Sequence, residues 1–375
     1  MLSSEETSKL IDKHIIAPIV NGDNLENLHI KSLLWENKHI SGGEFIECIF
    51  ESIHFKSVHF EECSFDECVF IDCTWEDSFW TEVGFTFSRL KHCTFRSSKL
   101  VDVDFTVCAL VDGLFEKCSI DTMDFMDCQE FSVKVVECHL ETSSILGLSE
   151  SDKKGYPKHP MHEFESPYHY FETENCTSRH LVLFKYDFNH WVIKNCQHRN
   201  LIALWSEAAA YDFSNTDLTM SQFTESNLAG ANFANSKVDQ CSFIGCDLNG
   251  ANFTSASLNY ALLLKTQLVN SSFQGAQMFG ANMSESNARR SDFSHAYLEM
   301  ANMSKGVFTD CNFHSATMRY TDFSYADISK ADFTKGSFYY SRHQSTVDTQ
   351  TKYSNKSGIM DEDPQQLKAD LWLES

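Results

Sequence analysis

Residues 231–250 read ANFANSKVDQCSFIGCDLNG, with a large apolar residue at every fifth position and a small residue two positions before each. The large residues are Phe233, Val238, Phe243 and Leu248. Five residues of α-helix turn by about 500°, so this spacing gives no apolar stripe along a helix. In a strand, an odd spacing sends successive side chains to opposite faces. One shared apolar interior therefore requires the backbone to change direction at every fifth residue.

Phenylalanine returns at every twentieth residue in two columns. The columns are Phe45, Phe65, Phe85, Phe105 and Phe125, and Phe213, Phe233, Phe253, Phe273, Phe293, Phe313 and Phe333. Twenty residues then form four corners and one closed coil, and we expect these structural core residues to stack at about 4.8 Å, the spacing of hydrogen-bonded strands. The pattern predicts an all-β solenoid of about fourteen coils. The period breaks at Glu130, where we expect a bulge that places Phe131 in the interior.

The repeats resemble those of the pentapeptide-repeat family, in which a small residue, Asp or Asn, a large apolar residue and two polar residues follow one another. The motif stands at Ala231-Asn232-Phe233, Ala251-Asn252-Phe253, Ala281-Asn282-Met283, Ala301-Asn302-Met303 and Ala331-Asp332-Phe333. This resemblance implies a right-handed quadrilateral β-helix, with four pentapeptides in each coil.

A change of register divides the chain. Interior residues fall at multiples of five over 25–145 and at positions ending in 3 or 8 over 178–340. We therefore predict two β-helix segments over these ranges, separated by a loop or hinge at 146–177. Residues 1–24 are predicted to form a capping helix and linker, and residues 341–375 a polar tail with a short C-terminal helix that caps the last coil.

The net charge of −23 limits the partners of the chain. Contact with phosphates requires Lys and Arg, so we expect no direct nucleic-acid binding and instead a protein partner with a basic surface. No stretch reaches the roughly 18 apolar residues of a membrane span. No signal peptide is recognised, which favours the cytoplasm or export by a signal-independent route. The apolar ends of the coils would also allow a homodimer.

Acidic residues concentrate in the first segment, since residues 1–150 hold 28 acidic and 11 basic residues. Glu62, Glu82 and Asp102 are twenty residues apart and are expected to form one outward column. Nine residues, called here the acidic set, are the candidate interaction wall: Glu61, Glu62, Asp66, Glu67, Asp72, Glu76, Asp77, Glu82 and Asp102. Stacked like charges repel, so folding alone would not select this column. The set is interpreted either as a mimic of nucleic-acid phosphates or as a solvated wall that keeps the solenoid soluble.

Three further groups are weighed in the same way. Arg289 and Arg290 form a basic pair beside the undersized Ala288. The pair marks either a contact site or one irregular coil. His159, His162 and His169 offer zinc ligands, but their spacing is not that of a zinc finger, and we predict no metal or cofactor. Nine cysteines stand at small interior positions of the first segment, either as apolar fillers or as disulfide or soft-metal ladders.

No nucleophile elbow, phosphate loop or zinc-protease motif is present, so we expect no enzyme activity. The first functional hypothesis is a protein-interaction scaffold, for which the family resemblance implies an accessory or effector role in bacterial secretion. The second follows from a resemblance to the quinolone-resistance proteins of the family, which implies a DNA mimic that binds a type II topoisomerase such as gyrase. The third, a thiol redox or metal-responsive protein, depends on the cysteine columns.

Overall fold

The computed structural model describes residues 24–128, 130–146 and 169–360. The chain divides into two compact units, with unit 1 ending at His198 and unit 2 beginning at Arg199. The predicted N-terminal helix and the predicted C-terminal helix lie outside the described residues. The described part contains a single helical segment, the 3-10 turn Phe188–His190. No helix in that part is long and apolar enough to cross a lipid bilayer.

Unit 1 is built from short parallel strands. They are β1 (Leu25–Glu26), β2 (His29–Lys31), β3 (Leu34–Glu36), β4 (His39–Ser41), β5 (Glu44–Ile46), β6 (Ile49–Glu51), β7 (His54–Lys56), β8 (His59–Glu61), β9 (Ser64–Asp66), β10 (Val69–Ile71), β11 (Thr74–Glu76), β12 (Phe79–Thr86), β13 (Arg89–Lys91), β14 (Thr94–Arg96), β15 (Lys99–Thr106), β16 (Ala109–Glu116), β17 (Ser119–Met126), β18 (Glu130–Val136), β19 (His139–Leu146), β20 (His169–Glu174), β21 (Thr177–Phe184), β22 (Trp191–Lys194) and β23 (Gln197–His198).

Each strand of unit 1 pairs in parallel with the strand one coil later, so four ladders surround one interior. One ladder runs through β4, β8 and β12, and a second through β1, β5 and β9. Phe45 pairs with Phe65, and their buried rings stack at 4.7 Å. The predicted all-β solenoid is confirmed, and the two units together contain about 16 turns.

The irregularity predicted at Glu130 is a change of register between β16 and β18. Leu110 pairs with Phe131, whereas Gly113 pairs with Val133, so the offset returns from 21 to 20 residues. Phe131 is fully buried, as predicted. The interior column therefore continues through the bulge.

The change of phase between the segments has a simple geometric cause. Partners in β19 and β21, such as Ile145 and Leu183, are 38 residues apart, so this coil contains 18 residues more than a regular coil. Eighteen is not a multiple of five, and the interior positions consequently move to numbers ending in 3 and 8. The sequence placed residues 169–177 in a loop or hinge, whereas β20 pairs with β18 and continues the solenoid. The interior position at Thr173 is polar, which hid the register.

Unit 2 has the same coil repeat, but its neighbouring coils pair over shorter stretches of backbone. Its strands are β24 (Leu201–Leu204), β25 (Asp332–Phe333), β26 (Ser341–Arg342), β27 (Lys352–Tyr353) and β28 (Ile359–Met360). Single parallel bridges with an offset of twenty residues continue the pattern from Ile202 with Gln222 to Asp327 with Val347. The second phenylalanine column is fully buried, and Phe253 stacks at 4.8 Å on Phe233 and at 5.0 Å on Phe273.

Pairing in unit 2 extends beyond the predicted end of the second segment at residue 340. Ser341 in β26 pairs with Ile359 in β28, although 341–375 was predicted to be a polar tail. Ser341 and His343 are buried. Polar residues at interior positions again concealed the repeat.

Candidate interaction surfaces

The corners of the coil decide which side chains face outward. Two positions after most large interior residues the backbone turns through a left-handed conformation, with φ near 52° at Glu62 and 53° at Glu82. The corner of unit 2 has the same conformation, and at Gly230 (φ 69°) it is closed by the amide of Ala231, which donates to the carbonyl of Leu228 at 3.0 Å. Side chains at these corners point away from the interior and are mostly exposed.

The two units place different residues at the left-handed corner. Unit 1 has ten acidic residues there: Glu47, Glu62, Glu67, Asp72, Asp77, Glu82, Asp102, Asp112, Asp127 and Glu137. Unit 2 has only three among its described residues, namely Glu225, Glu285 and Asp310. Its corners are rich in the residues that tolerate this conformation: Asn215, Gly230, Asn235, Gly245, Gly250, Asn270, Gly275 and Gly280. A non-glycine residue in the left-handed region costs roughly 1–2 kcal/mol, and Asn tolerates it best.

The acidic set does not form one wall. Seven of its nine members stand at the ends of four successive strands, β8, β9, β10 and β11, and each of these strands belongs to a different ladder. Glu62, Glu82 and Asp102 do share one corner, because β8, β12 and β15 pair in register. The set is therefore an acidic ring around one coil with a single column rising from it. Consecutive pentapeptides occupy different sides of the coil, which makes this distribution unavoidable.

Several members of the acidic set have histidine partners. Glu61 Oε2 lies 2.9 Å from His39 Nε2, and Glu76 Oε2 lies 3.1 Å from His54 Nε2. Asp72 Oδ1 is 3.1 Å from His92 Nδ1. Each of these three carboxylates therefore has an imidazole nitrogen within hydrogen-bond distance.

The column is different, since Glu62, Glu82 and Asp102 form no salt bridge within the described part of the chain. Desolvation, the carboxylate of Asp124 and the carboxylate of Asp102 raise the pKa of Asp104. Negative charges around this column therefore remain close to one another and uncompensated.

The basic pair lies on a regular coil. Arg289 and Arg290 are exposed, and the amide of Arg290 donates to the carbonyl of Thr309 at 3.0 Å. Ala288 is buried at its interior position. The alternative of an irregular coil is therefore wrong, and the role of the pair as a contact site stays a prediction.

Of the three histidines considered as zinc ligands, His159 and His162 lie outside the described residues, and His169 opens β20. The structure instead brings together three other donors, His39, His59 and Glu61, whose donor atoms all lie within 4.8 Å of one another. Sequence reasoning missed this group. Its signal was present in the 20-residue spacing of His39 and His59.

Comparison with known proteins identifies the repeats. The model of the Pentapeptide repeat region matches residues 216–293, and the model of Pentapeptide repeats (8 copies) matches residues 301–334. Residues 216–293 and 301–334 therefore consist of pentapeptide repeats. No curated protein sequence matches it significantly.

Two solved structures of similar proteins illustrate the range of the likeness. QnrB1, a plasmid-mediated fluoroquinolone resistance protein, has 17% identity and a TM-score of 0.32, over 52% of this chain and 98% of that chain. HetL, a pentapeptide-repeat protein involved in heterocyst differentiation regulation from the cyanobacterium Nostoc sp. strain PCC 7120, has 10% identity and a TM-score of 0.27, over 96% of this chain and 99% of that chain.

The cysteines of this pentapeptide-repeat protein are free and buried. The thiol of Cys63 donates to the carbonyl of Ile40 at 3.5 Å and to that of Glu61 at 3.3 Å. Ser78 occupies the equivalent position, and its hydroxyl donates to the carbonyl of Glu76 at 3.0 Å. Desolvation raises the pKa of the Cys128 thiol to about 12, which keeps that thiol protonated. These observations favour cysteine as a small interior residue with a weak donor.

A second exposed surface of the pentapeptide-repeat protein lies on one corner of unit 2. Tyr260, Met300, Tyr320 and Tyr340 occupy left-handed positions in register, and each side chain is about half exposed. The rings of Tyr320 and Tyr340 stack at 5.8 Å. This apolar corner was not predicted, although its members are separated by twenty or forty residues.

Proposed function

We propose that this pentapeptide-repeat protein is a non-catalytic interaction scaffold that binds a basic protein surface through unit 1. The main observation that supports this proposal is the column of Glu62, Glu82 and Asp102 at left-handed corners. Unit 2 places Asn or Gly at many of the same corners, so the fold itself does not require acidic residues there.

Two energetic costs oppose the column. Each left-handed Glu or Asp has an unfavourable backbone conformation, and each carboxylate repels the next across one strand spacing of about 4.8 Å. Neither cost is offset by a salt bridge to these three side chains in the described residues. A basic partner would offset the repulsion and would benefit from carboxylates already fixed in position.

The spacing also makes the charges act together. A separation of about 4.8 Å is shorter than the Debye length of about 8 Å at physiological ionic strength. The potentials of the three carboxylates therefore add at the surface and would steer a cationic partner towards it. Binding of this kind weakens as the salt concentration rises.

The test is affinity capture from native lysate at low and high salt. The triple variant Glu62→Gln, Glu82→Gln, Asp102→Asn should lose a partner that the unmodified protein releases at high salt. The matched control is Glu225→Gln, Glu285→Gln, Asp310→Asn, which removes the same charge from the same kind of corner in unit 2. Equal capture by both triple variants would contradict the proposal.

A second candidate function is a DNA mimic that binds a type II topoisomerase, which the same column of regularly spaced negative charge favours. A DNA mimic is expected to inhibit or protect gyrase, and added DNA should compete with this effect. The unit 1 triple variant should lose the effect. Captured secretion-apparatus proteins without topoisomerase would instead support the secretion-linked scaffold. Indifference of purified gyrase supercoiling to the protein would remove the DNA-mimic candidate.

A further inference from the structure

His39 and His59 stand side by side on adjacent strands of unit 1. They are register partners in β4 and β8, and their rings stack with centroids 4.5 Å apart and an interplanar angle of 7°. Glu61 follows His59 by two residues on the same strand, so its side chain lies on the same face. Its Oε2 atom is 2.9 Å from His39 Nε2. Two imidazoles and one carboxylate thus meet at one point of the surface.

We propose that His39, His59 and Glu61 bind a divalent transition-metal ion of the zinc class, with water as the fourth ligand. Imidazole nitrogen and carboxylate oxygen are ligands that such ions prefer. Bonds of about 2.0–2.1 Å in a tetrahedron require donor atoms about 3.3 Å apart. The His39 and Glu61 donors already lie within that distance. All three donor atoms lie within 4.8 Å of one another, so the third donor, on His59, has to move by at most about 1.5 Å to reach this spacing.

The surroundings favour a cation. The side chains of His39 and Glu61 are 57% and 40% exposed, so an ion reaches them from solvent. Glu62 stands next to Glu61 and adds a second negative charge. The paired strands fix both histidine backbones, so little conformational freedom is lost when the ion binds.

Two other His–Glu contacts in unit 1 show what makes this group different. His29 with Glu51 at 3.2 Å and His54 with Glu76 at 3.1 Å have the same 22-residue separation. The register partner of His29 is Ile49, and those of His54 are Leu34 and Thr74. Neither pair has a second imidazole beside it. These two pairs therefore serve as controls, because each offers one imidazole and one carboxylate but no third ligand.

The experiment is calorimetric titration of untagged, full-length protein with Zn²⁺ in a weakly coordinating buffer, with Co²⁺ absorption as a second readout. We expect His59→Phe and Glu61→Gln each to weaken binding at this site at least tenfold. Phenylalanine keeps an aromatic ring at this position, where His59 has His39 and Phe79 as its register partners. The matched control His54→Phe should bind as tightly as the unmodified protein.

Three results would overturn the proposal. The first is unmodified protein that binds no Zn²⁺ at millimolar concentration. The second is His59→Phe protein with an unchanged circular dichroism spectrum and unchanged Zn²⁺ affinity. The third is loss of all Zn²⁺ binding in the triple variant His159→Gln, His162→Gln, His169→Gln, because the ion would then bind elsewhere.

Discussion

The guanidinium Nη2 of Arg89 lies 2.9 Å from Oε2 of Glu130, although the two residues are 41 positions apart. Arg89 pairs with Ala109 at an offset of twenty, and Ala109 pairs with Glu130 at an offset of 21. The one-residue register shift is what sets Glu130 on the ladder of Arg89. The Glu130 side chain is 8% exposed and that of Arg89 is 21% exposed, so the pair is shielded from water.

Replacement of Glu130 by Gln should lower the free energy of unfolding by roughly 1–3 kcal/mol. The change leaves a partly buried guanidinium without its carboxylate, which is costly away from water. Chemical denaturation at pH 7 measures it. Glu137→Gln is the control, because Glu137 and Lys117 are 3.9 Å apart and both more than half exposed, and its effect should stay below about 0.5 kcal/mol. Equal effects would contradict the importance of burial.

Acid should destabilise unit 1 through Glu172. Lys194, the hydroxyl of Tyr170 and Lys134 lower the pKa of this buried carboxyl group from 4.5 to about 2. A depressed pKa gives stability that is present above the unfolded value and is lost as the pH falls from about 4.5 towards 2. The contribution is at most about 3 kcal/mol.

Urea denaturation between pH 6 and pH 2.5 should therefore show a shallower pH dependence for Glu172→Gln than for the unmodified protein. Glu62→Gln is a suitable control because that side chain forms no salt bridge in the described residues. An unaltered slope in Glu172→Gln would show that other carboxyl groups control the acid transition.

Glu82→Asn should stabilise the protein by about 0.5–1 kcal/mol. Asn tolerates the left-handed corner better than Glu, and the change removes one charge from the column. Thermal denaturation measures the gain. The reverse change in unit 2, Asn235→Glu at φ 58°, should be destabilising. Effects of the same sign for both variants would contradict the cost assigned to acidic corners.

Cys196 should be the most reactive thiol of unit 1. Contact with the Cys176 thiol and the neighbouring His198 lower the pKa of Cys196 below its usual value, and Cys196, although buried, is 8% exposed, more than any other cysteine. Labelling of native protein with a disulfide reagent at pH 8 should lose its fastest phase in Cys196→Ser. Cys128→Ser should leave that phase intact, because the raised pKa of Cys128 suppresses its thiolate. A fastest phase that survives in Cys196→Ser would assign the reactivity to another cysteine.

Sequence patterning predicted most of the fold because the repeat expresses one physical rule at every coil. Phe233 and Phe253 follow that rule, and so does Phe131, whose burial was predicted from the break at Glu130. The apolar repeat cannot be recognised in the sequence where the interior residue is polar. Thr173 accepts a hydrogen bond from Trp191 Nε1 at 3.1 Å, and Ser178 bonds His198 at 2.8 Å. Side-chain hydrogen bonds thus replace apolar contact, and hydropathy alone does not reveal these coils.

The surfaces were harder to predict than the interior. Nearness in sequence suggested that Glu62, Asp66 and Asp72 lie together, but each corner changes the direction in which the next side chain points. Nearness on the surface of a coil depends on offsets of 20 and 22 residues. The contact of His39 with Glu61 shows the second offset. The left-handed corners also followed no residue type in unit 1, where Glu, Asp and Ser all occupy them.

The constant offset of twenty residues makes the length of unit 2 adjustable in whole coils. Asn232 bridges Asn252, and Asn252 bridges Ser272, so removal of one coil between them would let Asn232 meet Ser272 in the same geometry. The phenylalanine column would stay continuous, because Phe233, Phe253 and Phe273 occupy equivalent positions. Duplication of twenty residues would extend the unit by the same logic. The length of unit 2 can therefore change only in steps of one coil, each of which adds or removes one strand spacing of about 4.8 Å.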